Sequence, residues 1–158
     1  MPRPKKPPLS LIERIKRIGE SGIKDKETPV TTEEDMLIPL EERIKRILCL
    51  SEVARKQRGR MLFFVMYDIE SNKVRRLVVK YLMRLGCCRV QKSIFLAEQP
   101  IEVYERIKTE LAEVQSAYDN DDSIIVLPIT TDYLKLMKVI GKNVNVDIIT
   151  HSTNTLFF

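Results

Sequence analysis

The stretch FFVMYDIESNKVRR, residues 63–76, ends an apolar run on a tyrosine and an aspartate, Tyr67 and Asp68. Lys73, Arg75 and Arg76 follow at once. A carboxylate beside cations is suited to phosphate chemistry. A hard cation such as Mg²⁺ takes oxygen ligands, often one or two carboxylates, and completes its shell with water and phosphate. One aspartate is a poor site. The same aspartate from a second copy, facing it across a twofold axis, would give one ion per dimer two carboxylates. Arg75, Arg76 and Arg89 would then hold phosphate oxygens as bidentate donors. The competing reading is plain: a single aspartate at a strand end is usually a cap or turn residue.

The charge distribution bears on the same question. Residues 1–60 hold 15 Lys+Arg against 10 Asp+Glu, which accounts for the whole net charge of +5. Residues 71–92 contain Lys73, Arg75, Arg76, Lys80, Arg84, Arg89 and Lys92 and no acid, whereas residues 98–122 are strongly acidic. A one-signed region on an otherwise neutral domain attracts polyanions locally, although a solvated helix face has the same composition.

Other chemistries lack their residues. The only histidine, His151, lies in a polar HSTN stretch with no Cys, Ser or Asp constellation around it. Of the three cysteines, Cys87 and Cys88 are adjacent and Cys49 is distant, which suggests neither a disulfide framework nor a zinc site. There is no G-x-x-x-x-G-K-[ST] or G-x-G-x-x-G phosphate loop. No apolar run approaches the roughly 20 residues of a membrane helix. The expectation is a cytoplasmic protein with no membrane partner.

The elements that must position Asp68 follow from periodicity. MLFFVMYDI, from Met61, is a short continuous apolar run and reads as a buried strand. Ser71 caps a helix, with Val74, Leu77, Val78, Tyr81, Leu82 and Leu85 as its apolar stripe and Gly86 as its stop. RVQKSIFLA, 89–97, reads as a second strand. A helix from Pro100 buries Val103, Ile107, Leu111 and Val114. DNDD, 119–122, is a turn and SIIVLPI, 123–129, a third strand. LKLMKVIG, 134–141, reads as a fourth strand, and NVDIIT, 145–150, as a short terminal one. The order implies an α+β sandwich with helices on one sheet face.

Ahead of this region the hexapeptide ERIKRI occurs twice, at 13–18 and 42–47. Its isoleucines are three apart with charges between them, which suits short amphipathic helices. Gly19 is expected to stop the first helix, and Pro39 to lie in the first turn of the second. ARKQRGR, 54–60, reads as a basic linker and residues 1–9 as a tail. The division is therefore a basic helical extension, 1–60, and a domain, 61–158. So narrow a stripe cannot fold alone. Both helices are expected to dock on the domain, near its acidic helix 100–117, leaving Lys5 and Lys6 free.

VMYDIESNKVRR…LMRLG…RVQKSIF…DSIIVLPI…KVIG resembles the second CRISPR-associated adaptation protein, the small partner of the spacer integrase. The resemblance covers roughly residues 61–141. It implies a ferredoxin-like fold, a homodimer, and Y-D-I aspartates meeting near the dimer axis. It also implies two activities: metal-dependent phosphodiester cleavage of RNA or DNA at Asp68, or a structural role in which the dimer joins the CRISPR integrase and binds double-stranded DNA. A related ferredoxin-like toxin ribonuclease is a further alternative. On the family pattern Tyr67 and Asp68 fall on the Y-D pair, Arg75 on a basic helix position, Arg89 on the strand-opening arginine, and Ser93 and Phe95 on S-x-F. Asp68 is the expected catalytic and metal-binding residue, with Mg²⁺ as cofactor. Arg75, Arg76, Arg89 and Lys92 are the expected nucleic-acid contacts, supported by Tyr67, Ser93 and Phe95. Leu77 stands where some members are basic, and the role of Glu98 is left open. The fold also requires a hairpin before the second helix of the domain. Residues 144–150 are expected to extend the sheet of the other protomer.

Overall fold

The computed structural model describes residues 8–21, 37–56, 58–141 and 144–147. The calls on the tail 1–7, on residues 148–150 and on His151 lie outside them. The elements are α1 (Leu11–Glu20), α2 (Leu40–Lys56), β1 (Arg60–Asp68), α3 (Asn72–Arg84), β2 (Cys88–Gln91), β3 (Ile94–Pro100), α4 (Ile101–Ser116), β4 (Ser123–Ile129), α5 (Thr131–Lys135), β5 (Lys138–Gly141) and β6 (Val144–Asp147). Four strands form an antiparallel sheet in the order β2-β3-β1-β4.

The stretch read as one strand, 89–97, is a hairpin. It breaks at Lys92–Ser93, and the register slips between Arg89 and Gln91. This supplies the strand pair that the resemblance requires. The stretch 134–141 is also two elements. Thr130 caps the short helix α5 through Tyr133 N–H, and β5 begins only at Lys138. β6 is not a lone strand either: it pairs antiparallel with β5.

Side chains alternate across β1. Phe63, Val65 and Tyr67 face α3 and α4, where they pack with Val74, Val78, Leu82, Ile107 and Leu111 in one buried core. Phe63 meets Tyr104 edge to face at 4.9 Å. Leu62 and Phe64 face the other way and form a second cluster with Leu96, Leu134 and Ile47.

Both ERIKRI segments are helical and both dock, on opposite sides. α1 lies against α3 and α4, with Ile15 fully buried. α2 lies on the far face of the sheet, against β2, β3, β1 and α5, and so away from the acidic helix. Gly19 does not stop α1, which runs on to Glu20. A Cβ at Gly19 would sit 2.9 Å from Tyr118 Cβ, so glycine permits a close approach there. Pro39 precedes α2, its carbonyl accepting from Arg43 N–H at 3.1 Å. α2 continues to Lys56, into the segment read as a linker, and Gly59 (φ 76°) then turns the chain into β1. Among the described residues no helix is long and apolar enough to cross a membrane.

Candidate nucleic-acid interface at the Asp68 rim

β1 carries Asp68 to the rim of the sheet, opposite Ser123 of β4. By alternation its side chain shares a face with Phe64 and Met66, away from α3 and α4, and it is exposed. The neighbouring Tyr67 is buried. Its hydroxyl donates to the Lys92 carbonyl at 3.1 Å, its N–H donates to the Ser93 carbonyl at 3.1 Å, and its ring stacks on Phe95 at 6.3 Å. Arg89 donates to the same Lys92 carbonyl from Nε at 3.2 Å and Nη2 at 2.7 Å, with its guanidinium 5.9 Å from the Phe95 ring centre. Tyr67, Arg89, Ser93 and Phe95 thus form one cluster that fixes the β2–β3 turn beside Asp68. The exposed Lys92 is at its tip.

On the other side of Asp68, Arg75 spans the loop that leads into α3. It donates to the Ile69 carbonyl at 3.3 Å and to Asn72 Oδ1. Ser71 caps the helix by accepting Val74 N–H. Arg76 is half-buried one residue further on. Two of the four expected nucleic-acid contacts, Arg75 and Arg89, therefore brace the backbone on either side of Asp68. Lys80 and Arg84, which the sequence reading did not select, are exposed further along α3. Their signal was present: positions 73, 76, 80 and 84 share one helix face.

The rim has other carboxylates, but they are engaged. Asp122 accepts Glu70 N–H at 2.9 Å and the Tyr118 hydroxyl. Glu98 is buried at the opposite end of β1, paired with Arg60, whose Nη2 also donates to the Glu98 carbonyl at 3.0 Å. Its role is to join β1 to β3. Among the described residues no three metal-ligating side chains converge. One chain therefore does not assemble a Mg²⁺ site, and Asp68 would need a carboxylate from a second copy.

The sheet face that carries Asp68 is only partly covered. α2 seals the Leu62 and Leu96 end with Ile44 and Ile47. Towards Asp68, Ile125 and Leu127 of β4 are 56% and 45% exposed. Between them and α2 lies an open, apolar-walled cavity of about 510 Å³, lined by Phe64, Met66, Ile94 and Val139 among others.

A β-α-β-β-α-β order on a β2-β3-β1-β4 antiparallel sheet defines a ferredoxin-like α+β domain, here with two helices added ahead of it. Residues 61–137 match the family model described as CRISPR associated protein Cas2. Through that domain the chain belongs to the CRISPR-associated Cas2 family. No curated protein matches the chain.

Proposed function

We propose that the protein is a dimeric, cytoplasmic adaptor that binds double-stranded DNA and works with a spacer integrase to insert new spacers into a repeat array. The observation that carries this reading is the bare apolar half of the sheet, at Ile125 and Leu127, on the face that also bears Asp68. Apolar surface concentrated on one face fits association. A twofold copy on it would bring the two Asp68 rims, each flanked by cations, to one side of the assembly. Those cations would meet phosphates, which position a duplex without reading its sequence. Family membership supports the CRISPR setting.

The same geometry supports a second reading, hydrolysis of RNA or DNA at the paired Asp68, because both carboxylates would be solvent-facing near the axis. A Mg²⁺ ion held there would polarise a phosphoryl oxygen, while the flanking arginines hold the substrate.

Integration assays with the partner integrase separate the readings. Ile125→Asp with Leu127→Asp should yield monomer by sedimentation and abolish integration. Asp68→Ala should leave integration largely intact and remove any Mg²⁺-stimulated cleavage. Full integration by a monomeric variant would contradict the adaptor reading.

A further inference from the structure

α1 does more than bury Ile15. Its face bearing Ser10 and Arg14 lies beside the C-terminal half of α3. Arg14, Lys80 and Arg84 there surround one open hollow of about 200 Å³, floored by Leu11, Leu77 and Tyr81. No carboxylate lines that hollow. The nearest acid on α1, Glu13, is turned back into the helix cap, where its carboxylate accepts Ser10 N–H at 2.8 Å. Glu110 and Arg106, on α4, approach the Tyr81 ring from the other side. Arg14 and Arg84 make no ion pair among the described residues. Three cations gathered without an acid repel one another, and a bound anion removes that cost.

The shape of the patch identifies the anion. Lys73, Arg76, Lys80 and Arg84 follow one face of α3 at spacings that place successive cations about 5–6 Å apart along roughly 16 Å of helix. Arg14 and Arg17, on a common face of α1, form a second row beside it. Two parallel rows fit a linear polyanion better than a single small one. A duplex strand offers a phosphate every 3.4 Å or so of axis, so each row meets about every second one.

We propose that α1 and α3 form a joint phosphate-binding surface for the backbone of double-stranded DNA, with Arg14, Lys80 and Arg84 as its contacts. The N-terminal helix is then part of the interface. This rests on the adaptor reading and extends its DNA surface from the Asp68 rim along α3 to the extension.

The test is duplex binding by the full chain, followed by fluorescence anisotropy across a salt series. Arg14→Gln and the pair Lys80→Gln, Arg84→Gln are compared with Lys45→Gln, an exposed cation on α2 outside the patch. Each lost phosphate contact lowers the slope of log affinity against log salt by roughly 0.9. The expected result is a drop of that size for Arg14→Gln, about twice as much for the pair, and no change for Lys45→Gln, with thermal melts superimposable. Duplex binding that is indifferent to Arg14, Lys80 and Arg84 overturns the inference and leaves the adaptor reading standing. A wild-type chain that does not bind duplex overturns both.

Discussion

The same hexapeptide, ERIKRI, builds two different contacts. At 13–18 it lies on the helical layer, at 42–47 on the opposite face of the sheet. In the first copy the leading isoleucine, Ile15, is the deeply buried one; in the second the trailing Ile47 is, with Ile44 close behind. The arginines diverge further. Arg14 opens onto a cationic hollow, whereas Arg43 donates from Nη1 to the Val90 carbonyl of the edge strand β2 at 2.6 Å. Arg46 turns to its own helix and pairs with Glu42 at 2.8 Å. Identical sequence fixes the amphipathic helix, and the surface it meets decides which side chain anchors it.

The largest effects that would break this comparison lie at the isoleucines. Removing most of a buried isoleucine costs about 2–5 kcal/mol. Ile15→Ala and Ile47→Ala should each lower the denaturant midpoint accordingly, and Ile18→Ala by less. Equal, small losses at Ile15 and Ile47 would mean that neither helix is docked in solution.

Thiol labelling sharpens the same point. Cys88 is buried on β2, with Arg46 of α2 near enough to act on it electrostatically, whereas Cys49 of α2 is exposed. Burial pushes the Cys87 thiol up from 9.0 to about 12 and raises Cys88 as well. At pH 8 Cys49 should react fast and Cys87 and Cys88 slowly. Ile47→Asp should free α2 and release Cys88, which mass spectrometry of the labelled peptides would register. The raised Cys87 value also has a sign for stability. The unfolded thiol ionises first, so its contribution is complete below pH 9 and is lost as pH rises towards about 12.

A smaller effect separates the two arginines. Arg43→Ala removes a charged donor from Val90 and should cost about 1–3 kcal/mol. Arg14→Ala should stay within about 0.5 kcal/mol, as surface changes do. Equal losses would mean that Arg14 also braces the fold.

The strands and helices that flank Asp68 were legible because their apolar periodicity is strong: MLFFVMYDI, the α3 stripe and SIIVLPI all stand where the pattern put them. The β2–β3 turn was missed because Lys92–Ser93 carries no glycine, asparagine or proline to announce it. β5 was overextended because Leu134 and Leu136 continue the apolar run, although Thr130 and Asp132 did signal a helix start. At the site, residue types located Asp68 and the cations, but only the hydrogen bonds show that Arg75 and Arg89 hold loops. Their substitution should therefore lower stability together with affinity. Lys92→Ala, at the exposed tip, should lower affinity alone.

The most direct measurement of the central claim is the mass, by sedimentation, of the complex formed with short duplexes of unrelated sequence. The account predicts a dimer on each duplex, with the same affinity for all of them. A single chain per duplex, no complex, or marked preference for one sequence would contradict it.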